Sequence, residues 1–251
     1  NPGEYHGTSG FDIDTGKSFS SASTNFSNEF GLYLTELAKR DERICAITAA
    51  MKYGTGLNHF SRAFGQQGRF FDVGIAEPHA VTFAGGLAAN GMLPVFAVYS
   101  SFLQRCYDQI IHDLSIERQH VVIGIDRAGI VGSDGETHQG LFDVAMLSSV
   151  PGITLYSPAT YEEMRCSLYK SLYEHTGVCC VRYPRGGESK LPAFDPQAPW
   201  AIEPKGATPR LLLVTYGKLT AQAVQAAPTL SQQGVPTAVP HQPRPPRLCQ
   251  A

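Results

Sequence analysis

Several polar residues follow apolar runs that read as buried strands. Glu77 comes after FFDVGI, Tyr99 after LPVFAV and Arg127 after VVIGID, and Arg182 and Arg185 follow GVCCV. In an open parallel sheet, ligands bind beyond the carboxyl ends of the strands. An acid and several arginines that converge there suit an anionic ligand. Ordinary loop polarity and surface ion pairs are the alternative for any one of these residues taken alone.

The loop RAGIVGSDGETHQG is the second concentrated signal. Its four glycines permit tight turns and a close approach of the backbone to a ligand. Asp134 and His138 are held between them, although a turn-rich surface loop would explain the glycines equally well. The chain has no G-x-S-x-G, HExxH or GxxxxGK[ST] motif. No His, Cys or Asp cluster has metal-ligand spacing, so no metal site is predicted within the chain.

The elements that must position these side chains alternate along the chain. Strands are predicted at RICAITAA, RFFDVGI, LPVFAVYS, HVVIGIDR and GVCCVRYPR. Helices are predicted between them, from Asn25 with Ser27 or Asn28 as the cap, from Glu77 to about Asn90, over SFLQRCYDQIIHDLSIE, and over YEEMRCSLYKSLYEHT. The strands lack a polar face. The pattern predicts an α/β fold, with a parallel sheet covered by helices on both faces.

Composition limits the class of protein. The chain has 251 residues, 43% of them hydrophobic, and a formal net charge of −2 without a run of Lys or Arg. This gives no reason to expect nucleic acid or an anionic membrane as a partner. No stretch approaches the roughly 20 apolar residues of a membrane span. Six cysteines without a C-x-x-C pair indicate reduced, mostly buried thiols and a cytoplasmic protein.

The predicted domain organisation has four parts. Residues 1–24 read as an interdomain linker, 25–187 as the main domain, 188–209 as a Pro-rich linker, and 210–251 as the truncated start of a further α/β domain. Five prolines within eleven residues from Pro236 argue against a central strand there, and disorder is expected from about Pro228. The chain begins without methionine and ends in a Pro/Arg-rich tail, so it is expected to be a fragment.

Four motifs carry a family resemblance. DVGIAEPHAVTFAGGLA, YSSFLQRCYDQIIHD, DRAGIVGSDGETHQGLFD and VRYPRG, in this order, resemble the 1-deoxy-D-xylulose-5-phosphate synthases of the transketolase superfamily. The resemblance implies a pyrimidine-binding domain for thiamine diphosphate within a homodimeric enzyme. That enzyme joins pyruvate to glyceraldehyde 3-phosphate with loss of CO2, for isoprenoid, thiamine and pyridoxal biosynthesis. The family's GDG motif is absent, so the Mg2+ ligands are expected in an N-terminal domain outside this chain, and the fragment alone is expected to be inactive.

The resemblance also implies roles for individual residues. Glu77 matches the acid that hydrogen-bonds the aminopyrimidine and activates the cofactor, and Phe102 matches an aromatic residue that stacks on that ring. The remaining matches are catalytic His138 and His6, and the substrate-pocket residues Tyr99, Arg105, Arg127, Asp134 and Arg185. A helix-start acid and a core aromatic are the plainer interpretations of Glu77 and Phe102.

Two alternatives to the synthase stay open at this point. The first is a related enzyme, because the same domain type occurs in transketolases and in the beta subunits of 2-oxo-acid dehydrogenases. The second is a non-catalytic module derived from the synthase, which the absent GDG motif favours. The small residues of AVTFAGGLAANG suit either a dimer interface or close packing within one chain.

Overall fold

A six-stranded parallel sheet forms the centre of the computed structural model, which describes residues 10–17, 24–132, 134–191, 200–202, 204 and 206–240. The strand order is β2-β1-β3-β4-β6-β5, and every neighbouring pair is parallel. The strands are β1 Ile44–Thr48, β2 Phe70–Asp72, β3 Leu93–Tyr99, β4 Val121–Asp126, β5 Thr154–Tyr156 and β6 Val178–Arg182.

Helices cover the sheet on both faces, as the alternating pattern predicts. The α-helices are α1 Phe26–Ala38, α2 Asn58–Phe64, α3 Glu77–Ala89, α4 Ser100–Leu103, α5 Tyr107–Gln109, α6 Asp143–Ser148 and α7 Tyr161–Tyr173. The sequence pattern misses α2, α6 and β5, because elements of three to seven residues carry too little periodicity to be recognised.

The sheet separates two apolar cores. Side chains from α1, α2 and α7 fill one, and side chains from α3, α6 and the segment after β3 fill the other. Successive residues of a strand point to opposite faces, so Cys179 lies in the first core and Cys180 in the second. The four cysteines of the strands and helices near the sheet are buried as predicted, whereas Cys166 is exposed and Cys249 lies outside the described residues.

The start of α1 corrects one prediction. Asn25, and not Ser27 or Asn28, is the N-cap, since its extended backbone lets its side chain accept a hydrogen bond from the Asn28 N–H. The Ser27 hydroxyl lies inside the helix and donates instead to Asp126 Oδ2 at 2.6 Å. The first turn of α1 is thereby tied to the carboxyl end of β4.

The segment after β3 is less regular than the single helix that its apolar spacing predicts. A 3-10 turn, Gln104–Cys106, separates α4 from α5, and a π-helix, Ile110–Ile116, follows. The predicted apolar face survives, because Leu103, Ile110 and Leu114 are fully buried. Periodicity therefore predicts which face is buried, while the hydrogen-bonding pattern follows from the packing around it.

A smaller unit follows the main sheet. Strands β7 Trp200–Ile202, β8 Leu211–Leu212 and β9 Thr237–Pro240 form a three-stranded sheet, and α8 Leu219–Gln232 packs against it. Disorder from Pro228 is therefore wrong as far as Pro240, and β9 is the central strand of its sheet. Pro236 and Pro240 flank or end β9, where a missing N–H costs little, and residues 241–251 lie outside the described part.

Among the described residues, none of the helices is long and apolar enough to cross a bilayer. Strand β7 lies within residues 188–209, and the Gly217 N–H donates to the Ser157 carbonyl at 3.0 Å. The smaller unit is thus hydrogen-bonded to the loop that follows β5.

A glycine in β4 generates a stability prediction. A Cβ at Gly124 would lie 2.5 Å from the ring of the fully buried Phe30, whereas Gly86 on α3 is exposed with no neighbour within 4 Å. We expect Gly124→Ala to lower the free energy of unfolding by about 1–3 kcal/mol through overpacking. Gly86→Ala, the matched control, should raise it by about 0.5–1 kcal/mol by restricting the unfolded chain. Urea denaturation measures both, and an unchanged midpoint for Gly124→Ala would contradict the packing of α1 on β4.

Candidate active site

The carboxyl ends of β3 and β4 lie side by side and define the centre of the site. Tyr99 ends β3 and is paired in register with Asp126, which ends β4. Arg127 follows directly, in a left-handed backbone conformation with φ of 57°. Parallel pairing thus brings an aromatic ring, a carboxylate and a guanidinium to one edge of the sheet.

Glu77 begins α3 at the same edge. It is 2% exposed, and its Oε1 accepts a hydrogen bond from Arg105 Nη1 at 2.5 Å. The guanidinium of Arg105 also lies over the Phe102 ring, 4.9 Å from its centroid. The Arg105 side chain is 48% exposed. Arg105 and the Phe102 ring therefore lie between the buried carboxylate of Glu77 and solvent.

Three rings form a contiguous aromatic wall. Tyr99 and Phe102 are stacked with centroids 5.7 Å apart, and the His138 ring meets Phe102 edge-on at 5.3 Å. His138 belongs to a 3-10 turn, Glu136–His138, and its Nδ1 shares a hydrogen bond with the Thr137 hydroxyl at 2.8 Å. The glycine-rich loop and the segment after β3 therefore meet at His138.

Arg127 is held from several sides. Its Nη1 donates to the Gly54 carbonyl at 2.6 Å and to Asp126 Oδ1 at 3.0 Å, and its guanidinium lies over the Tyr99 ring at 4.1 Å. The Tyr99 hydroxyl in turn packs so tightly on Gly54 that a Cβ there would lie 1.9 Å from it. Only glycine at this position permits the contact.

The loop that carries Gly54 is fixed by a second pair of close contacts. A Cβ at Gly31 of α1 would lie 1.9 Å from the Gly56 carbonyl, and a Cβ at Gly56 would lie 1.9 Å from the Ser27 carbonyl. Gly56 also has a φ of 74°, which favours glycine. The loop before α2 and the first turns of α1 are therefore locked together without intervening side chains.

Asp134 joins two arginines across the mouth of the site. Its Oδ1 lies 3.1 Å from Arg185 Nη1, and its Oδ2 lies 3.5 Å from Arg127 Nε. The longer contact is an ion pair without hydrogen-bond geometry, and both of its atoms are buried without a hydrogen-bond partner. Two guanidinium groups thus converge on one carboxylate, an arrangement that matches an anion-binding site.

Burial shifts the pKa of two groups beneath this surface. It raises the pKa of the fully buried Asp126 carboxyl, an effect that the charge of Arg127 and the hydrogen bond from Ser27 oppose. It also raises the pKa of the Tyr99 hydroxyl, which stays protonated at neutral pH. A neutral phenol and a compensated Asp126 leave Glu77, Asp134 and the three arginines as the other charged groups of the site.

The structure brings eight of the nine predicted site residues into one connected set of contacts, and His6 lies outside the described residues. Arg182 is separate, since its guanidinium turns inward to Asp143 at 2.9 Å and to Ser157 at 3.0 Å. Sequence reasoning missed Asp126, although a carboxylate that ends a wholly apolar strand is a readable signal. Gly54 and Ser27 gave no such signal, because their roles depend on contacts across the fold.

No group of three or more His, Cys, Asp or Glu side chains within the described ranges has the geometry of a metal site. The eight connected residues are two acids, Glu77 and Asp134, one imidazole, two other rings and three arginines. The site can hold a planar ring against Phe102, exchange a proton at Glu77 and bind an anion between Arg127 and Arg185.

Comparison with known proteins places these features in a family. The family described as "Transketolase, pyrimidine binding domain" matches residues 22–187. The 1-deoxy-D-xylulose-5-phosphate synthase of Clostridium kluyveri is 45% identical over 239 residues, which are 94% of this chain and 37% of the relative. That of Caldanaerobacter subterraneus is 44% identical over 239 residues, 93% of this chain and 38% of the relative. The chain thus spans somewhat over a third of the length of these relatives.

Solved structures show the same fold. A chain titled "Split gene transketolase, inactive beta4 tetramer" superposes with a TM-score of 0.73 at 24% identity, over 89% of this chain and 72% of that one. Transketolase from Leishmania mexicana gives a TM-score of 0.75 at 18% identity, over 90% of this chain and 35% of the enzyme. These likenesses confirm the predicted fold class, and the curated relatives confirm the resemblance read from the four motifs. Since the matched family covers more than half of its length, the chain belongs to the transketolase pyrimidine-binding domain family.

Proposed function

We propose that this chain supplies the pyrimidine-binding part of a thiamine-diphosphate-dependent 1-deoxy-D-xylulose-5-phosphate synthase. The reaction condenses pyruvate with glyceraldehyde 3-phosphate and releases CO2. One observation carries the proposal: Arg105 joins the buried carboxylate of Glu77 to the Phe102 ring, and Tyr99 links that ring to the edge where Arg127 and Arg185 gather. An acid, an aromatic platform and an anion site in one place meet the needs of this reaction.

The donor set fits one half of the cofactor. A buried carboxylate beside a half-buried aromatic ring suits an aminopyrimidine, which is planar and carries hydrogen-bonding nitrogens. The diphosphate calls for Mg2+, and the described residues offer no ligand cluster for it. We therefore assign the Mg2+ ligands to an N-terminal domain outside this chain.

When bound, thiamine diphosphate supplies the carbon nucleophile and the electron sink for decarboxylation. Glu77 Oε would hold the proton at a ring nitrogen of the aminopyrimidine, and the burial of the carboxylate would strengthen that hydrogen bond. Arg105, which contacts Glu77 Oε1, keeps the carboxylate compensated and oriented. Phe102 supports the ring from one side, and Tyr99 and His138 close the wall toward the substrate.

The arginines serve the second substrate. Arg127 and Arg185 bind the phosphate of the aldehyde, since planar guanidinium groups match phosphate oxygens. Asp134 sits between them and sets how the two guanidinium groups are spaced. His138 and His6 are assigned to proton transfer near the reacting carbon, His138 on the wall beside Phe102.

The complete activity requires more than this chain. It spans 37% and 38% of the synthases compared above, and the proposal includes a further domain that binds the diphosphate, in the same polypeptide or in another. A split transketolase with an inactive β4 tetramer has a chain of this fold, which favours inactivity of the isolated part. We assign the assembled enzyme to a cytoplasmic homodimer, with domain limits at 1–24, 25–187, 188–209 and 210–251.

The first functional prediction concerns Glu77. In an enzyme completed with a diphosphate-binding domain, Glu77→Gln should lower the rate of pyruvate decarboxylation by about 100- to 10,000-fold, because Gln cannot exchange a proton with the ring nitrogen. Glu117→Gln, on the exposed surface, should leave the rate unchanged. Release of CO2 from pyruvate measures both variants.

Two results would count against this proposal. A completed, folded enzyme that does not decarboxylate pyruvate would exclude the synthase function. Full activity of Glu77→Gln would exclude a role of Glu77 in proton transfer. Glu77 would then be only an acid that favours the start of helix α3. Turnover of ketose phosphates in place of pyruvate would instead identify a transketolase.

The second functional prediction concerns the phosphate. Arg185→Gln should raise the KM for glyceraldehyde 3-phosphate by about 10- to 100-fold, since a charge-assisted hydrogen bond is lost. The KM for glyceraldehyde, which lacks the phosphate, should stay unchanged. Arg62→Gln on the exposed surface of α2 is the matched control. Equal effects on both aldehydes would show that Arg185 does not contact the phosphate.

A further inference from the structure

Asp126 is a charged group for which the proposed reaction has no use. Its side chain is 0% exposed, and it accepts three hydrogen bonds, from the Ser27 hydroxyl at 2.6 Å, from the Arg127 backbone N–H at 2.7 Å and from Arg127 Nη1 at 3.0 Å. No ligand can reach a carboxylate buried in this way. A buried charge is costly unless it is paired and hydrogen-bonded, so the arrangement indicates a defined role.

Two of those three bonds constrain Arg127 itself. The Arg127 backbone has a φ of 57°, a conformation that is unfavourable for a long side chain. The bond from the Arg127 N–H to Asp126 Oδ1 stabilises this turn, and the bond from Nη1 to the same oxygen folds the side chain back along the strand end. One carboxylate oxygen therefore determines both the backbone and the side-chain conformation of Arg127.

The geometry also determines which edge of the guanidinium meets a ligand. Nη1 is committed to Asp126 Oδ1 and to the Gly54 carbonyl, and it lies 3.4 Å from the Ser27 hydroxyl. Nε is buried and makes no hydrogen bond, and it points toward Asp134 at 3.5 Å. The face of the group is covered by the Tyr99 ring. The Nε edge therefore faces Asp134, whose other oxygen lies 3.1 Å from Arg185 Nη1.

We infer that Asp126 is a positioning residue, supported by Ser27, that holds Arg127 in its left-handed conformation and directs the Nε edge of its guanidinium toward Asp134 and Arg185, beside the proposed site for the phosphate of the substrate. The phosphate part rests on the proposed function, whereas the positioning part rests on the contacts alone. Ser27 contributes by bonding Oδ2, which leaves Oδ1 free for both donors of Arg127. Helix α1 therefore acts on the anion site through Asp126 without contacting a ligand.

Nuclear magnetic resonance of the arginine-labelled chain tests the positioning. Separate Nη1 and Nη2 signals of Arg127, assigned by their loss in Arg127→Lys, report slow rotation of the guanidinium. Asp126→Ala should speed that rotation by about 10-fold or more and merge the signals, because an ionic hydrogen bond is lost. Asp126→Asn retains the Oδ1 acceptor and should keep the signals separate.

Ser27→Ala provides a milder variant that keeps the carboxylate. It should speed the rotation by about threefold, since one neutral hydrogen bond to Oδ2 is removed. Thermal unfolding shows which variants keep the fold. If Asp126→Ala does not fold, Ser27→Ala and Asp126→Asn are used to test the positioning. If Asp126→Ala folds and its Nη1 and Nη2 signals stay separate and unchanged, the positioning role is wrong. If Ser27→Ala folds and Asp126→Ala does not, unchanged signals in Ser27→Ala would overturn the positioning in the same way.

Titration with glycerol 3-phosphate, an unreactive phosphate ester, tests the ligand. The ester should shift the Nε signal of Arg127 in the natural chain and in Asp126→Asn, and bind at least about 10-fold more weakly to Asp126→Ala. A purely electrostatic role of the carboxylate predicts that Asn and Ala change the affinity alike, which would overturn the inference. Absence of any Arg185-dependent binding in the natural chain would overturn the phosphate part and the anion site of the proposed function, while the rotation measurement still decides the positioning.

Discussion

Register between β3 and β4 is the constraint on which the rest of the site depends. Pairing of Tyr99 with Asp126 brings the ends of both strands to the same level. A slip by one residue would turn Asp126 toward the opposite face of the sheet and carry Arg127 away from Tyr99. The cores oppose that slip, because the successive residues Val122 and Ile123 of β4 belong to different apolar clusters and a slip would exchange them. Packing far from the ligand thus determines where the charges lie.

The fold follows from the sequence to a large extent, and for a simple reason. Strands buried on both faces read as continuous apolar runs, and long helices read by their period. The features that the sequence does not predict are determined by tertiary contacts. The hydroxyl of Ser27 resembles a cap in the sequence, but Asp126 attracts it in the folded chain. The prolines from Pro236 onward look prohibitive as a group, yet Pro236 precedes β9 and Pro240 ends it, where a missing N–H costs little.

The polar groups of the candidate site are predictable from the sequence, whereas the residues that hold those groups in place are less so. Glu77, Arg127 and Arg185 lie within a few residues of the ends of apolar runs, although Arg182, directly after such a run, pairs with the buried Asp143 instead. Gly54 has no such context in the sequence. Its importance comes from the carbonyl that Arg127 uses and from the space that the Tyr99 hydroxyl occupies. Contacts between segments distant along the chain supply these requirements, and a single sequence does not display them.

The interlocked backbones of α1 and the loop before α2 have a consequence for how this domain can vary. Gly31 and Gly56 meet the main chain of the other segment directly, so no compensating change in a neighbouring side chain can make room for a larger residue at either one. We expect such positions to stay glycine as strictly as residues that bind a ligand. In a survey of related sequences, invariance at 31 and 56 would therefore reflect the direct attachment of this loop to α1, and not contact with a ligand.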